Sequence, residues 1–117
     1  MVRYKSRKYQ MSEGVLNMLL STKLANKLKA LSGDLDIQLK NIRINGEARG
    51  CSGFVTCKLT GNIVYVNTEK SCYSPLAHKN LYRSAKNTKD YTGGINQFAT
   101  DEDIAESIIK WLKRGYI

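Results

Sequence analysis

Four residues of this chain could hold a metal ion. Cys51-x5-Cys57 and Cys72-x5-His78 form two equally spaced pairs of sulfur and nitrogen ligands. Zinc takes four such ligands in a tetrahedron, but structural sites usually hold each pair about two to four residues apart, closer than here. Cys57 also sits on the inward side of an alternating run, which suits a buried apolar thiol. His78 is the only histidine, so a Ser–His or Cys–His nucleophile would have to use it, with Cys72 the nearest thiol. Asp34, Asp36 and Asp90 are the carboxylates that could do acid–base work, yet Asp34 and Asp36 read as turn and strand-edge residues without a companion group. The glycines of "DYTGG" could turn N–H groups toward an anion. A phosphate loop, however, runs from Gly-Lys-Ser/Thr straight into a helix, and here Ile95-Asn96-Gln97 follows. These residues predict a non-catalytic protein without a cofactor, and leave zinc at Cys51, Cys57, Cys72 and His78 as an open alternative.

Charge says more than the motifs do. The net charge is +9 over 117 residues, and it is segregated. Residues 1–33 carry +6, residues 34–69 balance, residues 70–99 carry +4 and residues 100–117 carry −1. Segregated charge makes a directed field that attracts polyanions, whereas evenly spread charge mainly keeps a protein dissolved. Both basic stretches also hold tyrosines. The N-terminal arm has Arg3, Lys5, Arg7 and Lys8 around Tyr4 and Tyr9. The stretch 70–99 has Lys70, Lys79, Arg83, Lys86 and Lys89 around Tyr73, Tyr82 and Tyr91. Cations meet phosphates and exposed rings stack on the bases of single strands.

The elements that position these residues follow from periodicity. Ser12 can cap a helix through Val15 and Leu19, and Leu20, Leu24, Leu28 and Leu31 keep helical spacing up to a stop at Gly33, with a break near Ser21-Thr22. Leu35, Ile37 and Leu39 alternate, and Ile42 and Ile44 resume out of phase, which predicts a strand bulged at Lys40-Asn41. Asn45-Gly46 predicts a two-residue hairpin. A second hairpin is predicted on Thr60-Gly61, pairing Cys57 with Val64 and Val55 with Val66. Its inward face carries Val55, Cys57, Leu59, Val64 and Val66; its other face, with Phe54, Thr56, Lys58, Ile63 and Tyr65, is either covered or a platform. Pro75 marks a loop, and a helix from Ser74 would align Lys79, Arg83 and Lys86 on one side. Thr100 caps a last helix whose stripe is Ile104, Ala105, Ile108, Trp111 and Leu112. The expected fold is a single α+β domain over 1–117: an antiparallel sheet of three to four strands between an N-terminal helical segment and a C-terminal amphipathic helix. Residues 1–10 form a basic arm and 70–99 a long basic connection.

The expected function is nucleic-acid binding, DNA or RNA, mainly through phosphates. The contact surface is Arg3, Lys5, Arg7, Lys8, Lys79, Tyr82, Arg83, Lys86, Lys89 and Tyr91. In being short, rich in Lys, Asn and Ile, and without catalytic equipment, the whole chain also resembles accessory proteins of phages and mobile elements. That resemblance implies an alternative: binding and inhibiting a host nuclease or defence protein, with tyrosine and arginine as the anchoring residues. No stretch approaches the roughly 20 apolar residues of a membrane helix, and three irregularly spaced cysteines suit a reducing, cytoplasmic setting.

Overall fold

A computed structural model describes residues 19–69, 79–90 and 92–114. The predicted helix start at Ser12 and the arm therefore lie outside the described residues. The fold is α+β, with helix α1 (Ser21–Leu31), strands β1 (Leu35–Ile44), β2 (Glu47–Cys57), β3 (Ile63–Asn67), β4 (Asn80–Ala85) and β5 (Gln97–Ala99), and helix α2 (Ile104–Arg114). The strands form one antiparallel sheet in sequential order β1-β2-β3-β4-β5. Both helices pack on the same face of it.

The core is the layer between helices and sheet. Leu24 and Leu28 of α1, and Ile104, Ala105, Ile108 and Leu112 of α2, meet Cys51, Val55, Cys57, Val64, Val66 and Tyr82. Tyr82 touches Trp111 edge-on, with ring centroids 6.0 Å apart, the arrangement that sets a positive ring edge against a negative face. The helix ends are tied to the sheet by side chains. Asn41 Oδ1 on β1 accepts the Ser21 N–H at 2.8 Å, the Thr100 hydroxyl accepts the Asp103 N–H at 3.2 Å, and Thr60 and Asn62 both donate to the Leu112 carbonyl at 2.9 Å. Groups that a helix end leaves unsatisfied are thus met by residues that also fix where the helix lies.

Three sequence expectations need correction. Among the described residues the sheet has five strands, because residues 80–85 and 97–99 of the supposed connection are strands. The helix that would have aligned Lys79, Arg83 and Lys86 does not extend into 80–86; its start at Ser74 lies outside the described residues. The second hairpin closes two residues earlier than expected. Val55 pairs with Val64, Cys57 N–H bonds to Asn62 O at 2.9 Å, and Lys58 to Gly61 form the loop. A slip of two preserves which face each side chain occupies, so the inward set survives except for Leu59, which lies 70% exposed in the loop. The Asn45-Gly46 turn is as expected, with φ of 54° and 83°. The bulge falls just beyond Asn41, and the extra residue belongs to β2: Asn41 pairs with Cys51 and Arg43 with Ala48.

Thr68, just after β3, ties β2 to the residues that lead into α1. Its Oγ1 accepts the Cys51 N–H at 2.8 Å and lies 3.1 Å from the Leu19 carbonyl, to which it donates. Replacing Thr68 by Val keeps the shape but removes both the acceptor of the buried Cys51 N–H and the donor to the Leu19 carbonyl, which costs about 1–3 kcal/mol. Thermal unfolding should show that loss, and Thr68→Ser should recover most of it.

Candidate nucleic-acid interface

The strands alternate their side chains between two faces, and the face away from the helices is built as follows. β1 contributes Asp36, Gln38 and Lys40, and β2 contributes Ser52, Phe54 and Thr56. β3 contributes Ile63, Tyr65 and Asn67, β4 contributes Leu81, Arg83 and Ala85, and β5 contributes Phe98. No described helix covers it. Three residues lie side by side across its middle, since Phe54 pairs with Tyr65 and Tyr65 with Arg83. The rings of Phe54 and Tyr65 are 5.4 Å apart, tilted by 54°, and the Arg83 guanidinium carbon lies 5.2 Å from the Tyr65 centroid.

This group is held from outside itself. Arg83 Nη1 donates to Asn96 Oδ1 at 2.8 Å, and Asn67 Nδ2 donates to the Tyr65 hydroxyl at 3.2 Å. Two half-exposed rings and a guanidinium that lies over the Tyr65 ring, on three neighbouring strands, make an aromatic and cationic patch against which a flat heteroaromatic group can pack. Leu81 opposite Phe98 extends the surface toward the β5 edge, and Phe98 is 42% exposed. Lys40 adds a cation toward the β1 edge.

The expected contact residues divide sharply. Lys79, Lys86 and Lys89 are exposed, Lys79 just before β4 and the other two just after it. Lys89 lies in the turn that the Asn87–Asp90 bridge closes, and Lys79, Arg83 and Lys86 follow the line of a six-residue strand, about 20 Å long. Tyr82 is only 6% exposed and points into the core, so it has no face to offer a base. Arg3, Lys5, Arg7, Lys8 and Tyr91 lie outside the described residues. Beyond β4, Asn87 and Asp90 bridge. The Thr92 hydroxyl, then its N–H, holds the Asp90 carboxyl below the usual carboxylate range, with a smaller contribution from the Lys86 charge.

Sequence reasoning recognised the Phe54/Tyr65 face but not that Arg83 joins it. The signal was there in "NLYRSA", whose alternate residues Leu81, Arg83 and Ala85 face one way. It was hidden because the inward set, Asn80, Tyr82 and Ser84, is mostly polar. Asn80 is nevertheless fully buried, its amide donating to the Ala99 carbonyl at 3.2 Å and to Asp101 Oδ1 at 2.7 Å. Satisfied in this way, a polar side chain can stand where periodicity expects an apolar one.

The cysteines are placed differently. Cys51 and Cys57 are both fully buried on the inward face. Burial pushes the Cys57 thiol up, but hydrogen bonds from Thr60 and Leu59 and the charge of Lys113 together lower it. Cys72 and His78 lie outside the described residues. Among the described residues, no three His, Cys, Asp or Glu side chains gather as a metal site, and no helix is long and apolar enough to cross a membrane.

No family model, curated protein or solved structure matches this chain.

Proposed function

We propose that this protein is a non-catalytic binder of single-stranded nucleic acid that lays the strand across the open face of its sheet, in a cytoplasmic setting. The observation that carries the reading is the row Phe54–Tyr65–Arg83 on three adjacent strands, on the face opposite both helices. Bases pack against the exposed parts of the two rings, and phosphates meet Arg83, Lys40 and the exposed Lys79, Lys86 and Lys89 along β4 and the turn beyond it. A net charge of +9 supplies the long-range attraction that brings a polyanion to this face. The strand has to be single because a duplex hides its base faces inside its own stack, and the rings stand on a shallow sheet rather than on an element shaped for a groove.

Fluorescence anisotropy with labelled single- and double-stranded oligonucleotides over a salt series tests this. Tyr65→Ala should weaken single-strand binding by about fivefold to a hundredfold, the worth of one base–ring stack. Lys86→Ala with Lys89→Ala should weaken it for every sequence and reduce the salt slope by about 0.7 for each phosphate left without its lysine. Tyr65→Phe keeps the ring and should bind nearly as the parent does. Binding that ignores salt and Tyr65 alike would end the proposal.

A further inference from the structure

Among the described residues, the two edges of the sheet are unlike. β5 is an edge of three residues, whereas β1 is an edge of ten. Short edges resist pairing with other chains, and long flat ones invite it. The direction of the β1 backbone groups follows from the ladder. Cys57 N–H bonds toward β3, to Asn62 O at 2.9 Å, and Lys58 N–H bonds toward β1, to Asp34 O at 2.8 Å. Antiparallel alternation then turns the backbone groups of Asp36, Gln38 and Lys40 toward β2. Those of Leu35, Ile37 and Leu39 point out from the edge, and no described residue pairs with them. Their side chains floor an open groove of about 380 Å³ between β1 and α1, whose other wall is Ser21, Thr22, Ala25 and Lys29. Leu35, Ile37 and Leu39 are only partly buried there.

We propose that β1 pairs antiparallel with β1 of a second copy of this chain, about a two-fold axis through Gln38. The strand is complementary to itself in that register. Ile37 meets the second copy's Leu39 in both directions, and these are the residues whose N–H and C=O groups point outward, so each such pair can exchange two hydrogen bonds. Asp36 faces Lys40 twice, as closely spaced pairs without mutual backbone bonds, and Gln38 faces itself. Registers centred one residue to either side also align the outward groups, but the one centred on Leu39 sets Asp36 against Ile42 and has no opposite-charge pair, and the one centred on Ile37 sets Asp36 against Gln38 and leaves Lys40 facing Asp34, which lies before the first residue of β1. The apolar residues of the two grooves become continuous, and Thr22 and Ala25 leave room for the two α1 helices above them.

The pairing makes one ten-stranded sheet with both open faces on the same side, the two Tyr65 rings about 24 Å apart by strand spacing. It does not depend on the nucleic-acid reading, and nucleic acid is absent from its test. Sedimentation velocity of the full chain over a concentration series should show a monomer–dimer equilibrium. Asp36→Lys should weaken dimerisation about tenfold or more, since two attractive pairs become repulsive, and adding Lys40→Asp should restore it. Circular dichroism checks that these exposed substitutions leave the fold unchanged. As a second readout, Gln38→Cys should give a disulfide-linked dimer on mild oxidation, because directly opposed residues in such a pair lie about 4.5 Å apart at Cα, within reach of a disulfide. Asp36→Cys should do so no more than the parent chain oxidised alongside. A chain that remains monomeric throughout, or one whose dimer tolerates Asp36→Lys and does not cross-link through Gln38→Cys, overturns the proposal.

Discussion

Gly53→Ala should lower the stability of this protein by about 3 kcal/mol or more. Gly53 lies inside β2 opposite Leu39, with φ of +152°, in a region that side-chain-bearing residues enter only at a cost. A Cβ there would also fall 1.9 Å from the Gln38 carbonyl oxygen and 2.9 Å from the Leu39 Cα, both backbone. No side-chain rotation relieves such an overlap. β1 would have to move away from β2, along the ladder that carries Phe54 and Gln38. Total stabilities of about 5–15 kcal/mol are usual for domains, so the variant should retain little reserve. Urea unfolding should show a midpoint at least about 1 M lower. Gly93→Ala is the comparison: nothing lies within 4 Å of a Cβ at Gly93, and its midpoint should hardly move. Equal midpoints for Gly53→Ala and the parent would contradict the close approach of β1 and β2.

Ile108→Ala should be nearly as damaging, for a different reason. Ile108 is fully buried in the layer that α2 shares with the sheet. Removing most of its side chain forfeits transfer free energy and leaves a cavity, together about 2–5 kcal/mol. Helix propensity acts the other way, since Ala is a better helix former than Ile by a few tenths of a kcal/mol. That gain is too small to decide the outcome. The melting temperature should fall by roughly 10 °C or more. Glu106→Ala, exposed on the same helix, should leave it within about 2–3 °C. A melting temperature for Ile108→Ala that matches the parent would mean that α2 is not packed on the sheet as described.

Both changes act at positions that the sequence describes unequally. Ile108 is conspicuous in the chain, because it stands with Ile104, Ala105 and Leu112 at helical spacing behind a Thr100 cap. The requirement for glycine at Gly53 is not, because its cause is the backbone of β1, at Gln38, fifteen residues away along the chain. The same division runs through the candidate interface. Phe54 and Tyr65 share a face as soon as both are given strand alternation, and a hairpin slip of two residues cannot separate them. Arg83 joins them only because β4 exists, and β4 rests on buried amide and ring contacts of Asn80 and Tyr82 that no periodicity announces. The charge count picked out Lys79, Arg83, Lys86 and Lys89 as cations without revealing that the first three follow a strand and the last a turn beyond it.

What the sequence determined alone are the features set by neighbours along the chain: the capped amphipathic helix α2, the Asn45-Gly46 turn, the inward alternation of β2 and β3, and the concentration of positive charge in two stretches. Each depends on interactions within a few residues, so the local pattern contains its cause. What the tertiary structure decided are the fourth and fifth strands, the four-residue loop held by the Leu112 carbonyl, the burial of Tyr82 and the row Phe54–Tyr65–Arg83. These depend on groups brought together from distant parts of the chain, whose energies exist only once the sheet and helices have met.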